Sequence, residues 1–395
     1  MKKNLSDRIS NLPVSATLAM AAKARELKSQ GVNVIGLSLG EPDFNTPTFI
    51  KDAAIQAVND NYNSYTPVDG YVELKEAICR KFKRDNNIDY NPSQIVVSTG
   101  AKQSIANAIQ VLINPGDDVL LVAPYWVSYS AIVLLAEGKP IEIYSDINTE
   151  FKITPEQLEA AITPQTKMVV INSPNNPSGS VYTEAEYRAL AAVLEKHPDI
   201  YVLSDEIYEH INYGVKPFSF AAIENMFDRT ITVNGLAKAF AMTGWRIGYL
   251  GAPQWIAKAC TKMQGQITSG ANCIAQRATI AALDAPVENI KYMIDEFSSR
   301  RDMILQLLDK IDGFVLNQPK GAFYVFPDIS HYFGKTLKGK SIENASDFAI
   351  YLLEEAHVAT VTGDAFGCPN NIRISYAASK EDISEAVDRI KRVLS

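Results

Sequence analysis

The chain has 395 residues, of which 47% are hydrophobic and 21% are charged. These proportions exclude a disordered or fibrous protein, and the length predicts two to three domain-sized units with a large buried core. The formal net charge of −7 argues against a protein that holds nucleic acid or an anionic membrane through its overall field.

The cysteines and the N-terminus indicate the compartment. The four cysteines form no C-x-x-C pair, so the sequence predicts neither a zinc ribbon nor a thioredoxin-type motif. Residues 1–8 have no apolar segment behind their charges, and we expect no signal peptide. Because no apolar run approaches the length of a membrane span, we expect a soluble, cytoplasmic protein.

In chain order, the first predicted element is a helix over Ser15–Gln30, which the sequence alone assigns to neither part of the fold. From about Asn45 onward, strand-like and helix-like segments alternate. The strand candidates are short runs rich in Val and Ile, as expected for strands buried on both faces: Gln94–Ser98, Asp118–Ala123, Lys167–Asn172, Ile200–Ser204 and Thr230–Val233.

Helical segments lie between these strands. One covers Ala101–Ile113 after a glycine, and another covers Thr183–Lys196 and opens with a capping-box pattern. The alternation predicts an α/β fold with a mainly parallel central sheet flanked by helices.

The C-terminal third has a different pattern. Two long helices are predicted over Ile267–Leu283 and Val287–Ile311, then strands over Gly321–Phe326, His357–Val361 and Asn371–Tyr376, then a final helix after Ser379. We predict a large domain over residues 45–285 and a smaller α+β domain formed by residues 1–44 and 286–395, with an N-terminal arm.

Polar groups follow successive predicted strands at the points where the strands end. In open α/β sheets ligands bind at the carboxyl ends of the strands, so these groups should converge at one edge. They are a glycine turn that opens a helix at Gly100, an Asn-rich turn around Asn176, Asp205 with Tyr208, and Lys238 with Arg246.

This combination suits an aldehyde cofactor with a phosphate tail and a basic ring nitrogen. A buried lysine such as Lys238 can lose its proton and form a Schiff base. Asp205 can hold a pyridine nitrogen protonated, and Arg246 and the helix N-terminus can hold a phosphate. Trp126, after the Asp118–Ala123 strand, can stack on a planar ring.

Each residue alone also has an ordinary structural explanation. A lone lysine is usually solvated, an aspartate can cap a helix, an Asn-Asn-Pro-Ser-Gly sequence forms a turn, and a tryptophan often packs in the core. Only the joint placement at successive strand ends favours a functional site.

At these residues the sequence resembles the class I aminotransferases, pyridoxal-phosphate enzymes of fold type I, and within them the bacterial aspartate aminotransferase group. The resemblance covers nearly the whole chain. Its motifs are residues 15–17 (SAT), 39–44 (LGEPDF), 65–67 (YTP), 173–179 (SPNNPSG), 204–208 (SDEIY), Lys238 to Gly248, and 373–376 (RISY).

The resemblance implies pyridoxal 5'-phosphate as cofactor and gives roles to the residues around its ring. Lys238 would link covalently to the cofactor and later move the Cα proton. Asp205 would pair with the pyridine nitrogen, Asn176 and Tyr208 would contact the ring hydroxyl, and Trp126 would cover the ring.

The resemblance also assigns the phosphate contacts. Gly100, Ala101 and the backbone of Lys102 would surround the phosphate together with Arg246. Tyr65 would reach the phosphate of the neighbouring subunit, so a homodimer with shared active sites is expected. No metal is expected.

The resemblance places the substrate against Gly40, Trp126, Asn176 and Arg373. Arg373 would bind the α-carboxylate through a bidentate pair.

Substrate choice depends on a second carboxylate. Lys102 with Ser15 and Thr17 would serve a distal carboxylate and favour dicarboxylic amino acids. Pro13 stands where a basic residue is expected in relatives that also accept prephenate, which argues against that substrate.

Two residues depart from the family pattern. Many members carry serines three residues and one residue before the lysine, where this chain has Gly235 and Ala237. The phosphate is therefore expected to lose a hydroxyl contact that Ser98 or Thr99 need not replace.

The resulting hypothesis is a ping-pong amino transfer from L-aspartate to 2-oxoglutarate. The alternatives are an aminotransferase with prephenate or aromatic specificity and a pyridoxal-phosphate C–S lyase. A non-catalytic regulator with a helix-turn-helix arm is disfavoured, because the motifs begin by Ser15. The absence of G-x-G-x-x-G and H-E-x-x-H argues against a dehydrogenase and a metallohydrolase.

Overall fold

A computed structural model describes residues 5–10 and 12–394. The first four residues, Asn11 and Ser395 lie outside the described residues. The start of the predicted N-terminal arm therefore also lies outside the described residues, as does half of the 1–8 segment in which no signal peptide was expected.

The α-helices are distributed along the whole described chain. They are α1 Asp7–Ser10, α2 Ala16–Ser29, α3 Thr48–Asn59, α4 Val72–Lys81, α5 Ala101–Leu112, α6 Ser128–Leu135, α7 Pro155–Ala161, α8 Glu184–Leu194, α9 Gln254–Ile267, α10 Cys273–Asp284, α11 Lys291–Leu308, α12 Ala345–Tyr351 and α13 Lys380–Leu394. π-helical turns at Phe82–Asn86 and Leu352–Ala356 extend α4 and α12.

The strands are β1 Ile35–Gly36, β2 Ile95–Ser98, β3 Asp118–Val122, β4 Lys139–Ile143, β5 Thr166–Asn172, β6 Tyr201–Asp205, β7 Thr230–Gly235, β8 Gly248–Gly251, β9 Tyr324–Val325, β10 Lys335–Leu337, β11 Lys340–Ile342, β12 Val358–Ala359, β13 Val361–Thr362 and β14 Ile372–Ser375. Seven of them form the central sheet in the order β2-β8-β7-β6-β5-β3-β4. Within this sheet β8 is antiparallel to both of its neighbours, and the other pairings are parallel. The predicted mainly parallel sheet is therefore confirmed.

Both faces of the central sheet are covered, as the uninterrupted apolar runs predict. All five residues of β3 are buried. Successive residues of β3 pack into different apolar clusters, with Leu121 in one and Leu120 in another. The same alternation holds for Val170 and Val169 on β5. The sheet is thus a rigid layer whose strand ends hold fixed positions.

The smaller sheets are built mostly from the C-terminal third. β13, β14 and β9 form an antiparallel sheet, and β10 and β11 form a hairpin. β1 pairs in parallel with β12, which ties the N-terminal segment to the C-terminal elements. Helix α2 packs there too, since Ala24 shares a cluster with Leu353 and Ala359. The structure thus settles which elements the N-terminal helix packs on.

Several predicted bounds are wrong. The helix predicted over Ile267–Leu283 begins only at Cys273, as α10, and α9, which ends at Ile267, was not predicted. The chain between the two helices includes Ser269 at a φ of +62° and Gly270, where a Cβ atom would overlap the Thr66 hydroxyl. The strand predicted over His357–Val361 is interrupted at Thr360, so that β12 and β13 enter different sheets.

The capping box predicted before α8 is confirmed. The Glu186 N–H donates to Thr183 Oγ1 at 3.3 Å, and the Glu186 carboxylate accepts from the Thr183 N–H at 2.7 Å. Among the described residues, no helix combines the length and the apolar character that a membrane crossing requires.

Candidate active site

A cavity of about 300 Å³ lies where β5, β6 and β7 end. The smaller antiparallel sheet also contributes, through Tyr324 on β9 and Arg373 on β14. Most of the sequence-predicted site residues line it: Ser15, Thr17, Gly40, Ala101, Lys102, Trp126, Asn176, Asp205, Tyr208, Lys238, Arg246 and Arg373.

Two predicted residues do not line this cavity. Gly100 lies just behind its wall, where it precedes α5. Tyr65 is 98% exposed and belongs to the surface of the chain. The structure therefore does not bring Tyr65 to the cavity of its own chain.

Lys238 enters the cavity from the segment that follows β7. Its Nζ atom donates a hydrogen bond to the Gly40 carbonyl oxygen at 2.6 Å. Burial, followed by the positive charge of Arg373, lowers the pKa of Lys238 to about 8. A substantial fraction of this amine is thus unprotonated in mildly alkaline solution, which a nucleophile or a base requires.

Asp205 is the last residue of β6 and is buried. Its carboxylate accepts a hydrogen bond from the Tyr129 hydroxyl at 2.5 Å and another from the Ile207 N–H at 3.2 Å. Burial raises the pKa of Asp205 to about 6 in spite of these bonds. A buried carboxylate of this kind is stabilised by a positively charged partner in the cavity.

The phosphate-type turn between β2 and α5 leaves no room for side chains. Gly100 has a φ of +84°, and a Cβ atom there would overlap the Arg246 guanidinium. A Cβ atom on Gly248 would overlap the backbone nitrogen of Ala101. The first N–H groups of α5 and the Arg246 side chain therefore lie close together, an arrangement that suits a phosphate.

The hydroxyls before this turn are partly engaged elsewhere. Ser98 Oγ donates to Gln264 Oε1 at 2.7 Å within the core, and Ala237 lines the cavity without a hydroxyl. The expected loss of a serine contact thus is not offset by Ser98.

Arg373 is buried and is held by four neighbours. Its Nη1 donates to Asn176 Oδ1 at 2.9 Å and its Nη2 to the Ser38 carbonyl at 2.5 Å. The guanidinium carbon lies 4.6 Å from the Tyr324 ring centre and 5.0 Å from that of Phe366. Arg373 Nε is buried and has no hydrogen-bond partner among the described residues.

Lys102 and Trp126 line the cavity next to each other. Lys102 Nζ lies 4.8 Å from the Trp126 ring centre, and Trp126 meets Tyr129 edge-on at 5.4 Å. Partial burial and the charge of Arg246 lower the pKa of Lys102. Ser15 and Thr17 line the same cavity, so a cation and two hydroxyl-bearing residues share it with Arg373.

Sequence reasoning missed Tyr324 and Tyr129. Tyr324 lies in a predicted strand that was treated as structural, and its hydroxyl is 2.8 Å from that of Tyr208. Tyr129 lies on α6, which carried no motif. The pattern of residues gave no signal for either, because both act on the site through neighbours distant in sequence.

A separate cluster lies away from the cavity. Asp85, Glu209 and His210 place potential ligand atoms within 4.8 Å of one another. The Lys81 ammonium forms an ion pair with Glu209, so a cationic group of the chain already balances this carboxylate.

The chain is similar to known proteins over its whole length. The sequence profile of the family described as aminotransferase class I and II matches residues 32–390. An aspartate/prephenate aminotransferase of Cereibacter sphaeroides is 48% identical over 390 residues, which cover 98% of this chain and 98% of that protein. An aspartate aminotransferase of Rhizobium meliloti is 47% identical over 388 residues, or 98% of this chain and 95% of that protein.

Solved structures show the same likeness. The crystal structure of the aspartate aminotransferase from Rhizobium meliloti matches with a TM-score of 0.96 at 45% identity, over 99% of this chain and 98% of that one. The aspartate aminotransferase from Thermus thermophilus with maleate matches with a TM-score of 0.92 at 40% identity, over 99% of this chain and 100% of that one.

Proposed function

The chain belongs to the class I and II aminotransferase family, and from that premise we propose that it transfers the amino group of L-aspartate to 2-oxoglutarate with pyridoxal 5'-phosphate as cofactor. The observation that carries the proposal is the convergence of Lys238, Asp205, Arg246 and Arg373 on one cavity. Family membership confirms the predicted fold and the predicted enzyme class.

The residues present fit this cofactor. Asp205 is a buried carboxylate that no cationic side chain of the described residues hydrogen-bonds, so it can pair with a protonated ring nitrogen. The turn at Gly100 and the Arg246 guanidinium offer N–H donors for a phosphate. Lys238 offers an amine whose pKa is lowered to about 8.

When bound, pyridoxal 5'-phosphate supplies an aldehyde that condenses with amines and a ring that withdraws electrons from the amino-acid Cα. Asp205 would supply a negative charge for the protonated ring nitrogen, and the Tyr129 hydroxyl and the Ile207 N–H hold that carboxylate in place. When the Lys238 amine is neutral, its Nζ atom can accept the Cα proton and later return it. The same residues serve both halves of a ping-pong reaction.

Arg373 orients the amino acid. Its guanidinium lines the cavity and is fixed by Asn176 and the Ser38 carbonyl. A rigid, pre-oriented guanidinium binds a carboxylate with little further loss of entropy. We therefore assign the substrate α-carboxylate to Arg373, with Gly40 beside it.

The preference for a second carboxylate is supported by Lys102, which lines the same cavity as Ser15 and Thr17. A cation within the same cavity as Arg373 favours substrates with two carboxylates. Relatives are named aspartate aminotransferase and aspartate/prephenate aminotransferase, and a similar solved structure is named as an aspartate aminotransferase with maleate, a dicarboxylate. Prephenate also carries two carboxylates and is the second candidate substrate, despite Pro13.

The wider proposal keeps three further expectations. A homodimer with shared active sites is supported by the exposed Tyr65. A large domain over residues 45–285 and a small domain over residues 1–44 and 286–395 are supported by the packing of α2 and β1 on C-terminal elements. A cytoplasmic location is supported by the four free cysteines.

The test is to measure both half-reactions with aspartate, prephenate, phenylalanine and alanine in one assay. We expect aspartate to convert the visible band of the holoenzyme and 2-oxoglutarate to restore it. In Lys102→Met, kcat/KM for aspartate should fall by about 10-fold or more while that for alanine changes little. The exposed Lys51 on α3 provides the control, Lys51→Met.

Three outcomes would contradict the proposal. A higher kcat/KM for alanine or phenylalanine than for aspartate overturns the substrate. Release of pyruvate and ammonia from a thioether amino acid without a keto acid indicates a C–S lyase. Equal losses for aspartate and alanine in Lys102→Met remove Lys102 from substrate recognition.

A further inference from the structure

Tyr324 lies among three residues with proposed roles, although no role has been assigned to it. It is fully buried on β9 and lines the cavity. Its hydroxyl is 2.8 Å from the Tyr208 hydroxyl, and its ring centre is 4.6 Å from the Arg373 guanidinium. A Cβ atom on Gly40 would overlap its hydroxyl. Tyr324 therefore contacts both Tyr208, which is proposed to bind the cofactor ring hydroxyl, and Arg373, which is proposed to bind the substrate carboxylate.

The protons of the two hydroxyls can be accounted for. Each tyrosine has one O–H donor, and the pair shares one hydrogen bond. The described residues give the Tyr324 hydroxyl no other partner. If Tyr324 donates, Tyr208 keeps its own proton for a ligand in the cavity. If Tyr208 donated instead, its proton would be withdrawn from the ligand.

We propose that Tyr324 is a positioning residue that donates its hydroxyl proton to Tyr208 and thereby aims the Tyr208 proton at the cofactor ring oxygen. This inference rests on the proposed function, because it assumes that Tyr208 meets that oxygen. Serial hydrogen bonds strengthen one another in a buried site, so the Tyr208 hydroxyl becomes a stronger donor.

The ring of Tyr324 has a separable effect. Together with Phe366 it contacts the Arg373 guanidinium, and such contacts fix the plane of the cation. Replacement by phenylalanine removes the hydroxyl and keeps this packing. Replacement by leucine removes both.

The groups that face the Tyr208 hydroxyl determine the direction of the effect. Tyr324 lies on β9, Arg373 on β14 and Asp205 on β6, and Lys238 Nζ is 5.9 Å from the Tyr208 ring centre. A weaker donor at Tyr208 leaves the ring oxygen of the cofactor more basic. The pKa of the proton bound near that oxygen should therefore rise.

The experiment is a pH titration of the visible band of the holoenzyme. Tyr324→Phe should raise the midpoint by about 0.5 unit, with KM for aspartate nearly unchanged. Tyr208→Phe should raise it further. In the Tyr208→Phe background, adding Tyr324→Phe should change nothing, since its partner is already lost. Tyr324→Leu should in addition raise KM for aspartate.

The matched control is Tyr90→Phe. Its hydroxyl is buried and lies 3.0 Å from the Thr232 hydroxyl, away from the cavity. It should leave the midpoint unchanged.

Two results would overturn the inference alone. One is a normal band with an unshifted midpoint in Tyr324→Phe. The other is a shift that remains in full in the Tyr208→Phe background. An unmodified chain without a visible band contradicts the proposed function and this inference together.

Discussion

At Gly40 the chain has no space for a side chain. The Tyr324 hydroxyl occupies the position of a Cβ atom, while the next ring atom, Tyr324 Cζ, is 3.3 Å from it. The Gly40 carbonyl accepts the hydrogen bond from Lys238. A change at this glycine therefore acts on both Tyr324 and Lys238.

Gly40→Ala should lower kcat/KM by about 10-fold or more, because the methyl group forces the Tyr324 ring or the Gly40 backbone to move. In a Tyr324→Phe background the hydroxyl is gone and the nearest ring atom leaves almost enough space. Steady-state kinetics should then show a smaller loss. Gly36→Ala is the control, since nothing lies within 4 Å of its Cβ position. Equal losses in both backgrounds would contradict the steric explanation.

The buried Asp205 carboxylate, which the proposed reaction needs, lowers the stability of the folded protein when it is charged. Burial raises its pKa to about 6 in the protein without cofactor, whereas in the unfolded chain it titrates near its ordinary value of about 4. Between these values the folded protein binds more protons than the unfolded chain. The contribution of Asp205 to stability therefore falls as the pH rises through this window.

Asp205→Asn removes this titration. Without cofactor, its free energy of unfolding relative to the parent should rise by about 1–3 kcal/mol between pH 4 and pH 7.5. Amino transfer should nevertheless be largely lost, because the amide carries no charge for the ring nitrogen. Urea denaturation at the two pH values measures the difference, and parallel pH profiles would contradict it.

Among the elements, the segment after β6 and the end of β7 are linked through the Glu209 side chain. Glu209 forms an ion pair with Lys81 of α4 and accepts from Asn234 Nδ2 at 2.8 Å and Asn86 Nδ2 at 2.9 Å. Burial alone would raise the pKa of Glu209, but the charge of Lys81 and the hydrogen bonds lower it to about 2. This network joins the segments that carry Asp205 and Lys238.

Glu209→Gln should lower the free energy of unfolding by about 3–5 kcal/mol at pH 7, since the buried Lys81 ammonium loses its nearest carboxylate. It keeps the Asn86 Oδ1 atom at 2.8 Å and the Asp85 carboxylate at 4.0 Å. The matched control is Asp89→Asn, which breaks the exposed pair with Lys83 and should cost at most about 1 kcal/mol. Because the folded pKa of Glu209 is depressed, the difference should shrink as the pH falls from about 4.5 towards 2. Similar losses of unfolding free energy in both variants would contradict a larger contribution from the buried pair.

The sequence predicted the elements whose local pattern matches their environment. The Val- and Ile-rich β3 and β5 and the capped α8 were identifiable because burial on two faces and capping leave local signatures. β8 was missed: Gly248–Gly251 has no β-branched residue, and its glycines are required by the close approach to Ala101 and Tyr90. Long-range contacts of this kind have no local pattern.

At the scale of the whole molecule, the site is a meeting of distant segments. Residues at strand ends, such as Asp205 and Lys238, were predictable because the sheet rule states where such ends meet. Arg373 and Gly40 were assigned only through the family resemblance, since their sequence positions say nothing of their proximity. Tyr324 was identified by the structure alone, through its contacts with Tyr208 and Arg373.

Tyr65 tests the assembly. We expect the protein in solution to have twice the mass of the 43.4 kDa chain. Tyr65→Phe should raise the dissociation constant for the cofactor about 3- to 10-fold without changing that mass, because it loses a hydrogen bond to a charged phosphate. Tyr144→Phe, at another exposed tyrosine, is the control. A fully active monomer measured by light scattering would contradict the shared site.

The central claim is that Lys238 forms the covalent link to the cofactor. Holoenzyme is reduced with borohydride, digested and mapped by mass spectrometry. The account predicts one pyridoxyl label per chain, on Lys238, and none in Lys238→Ala. A label on Lys102 or on any other lysine, or no label at all, would contradict it.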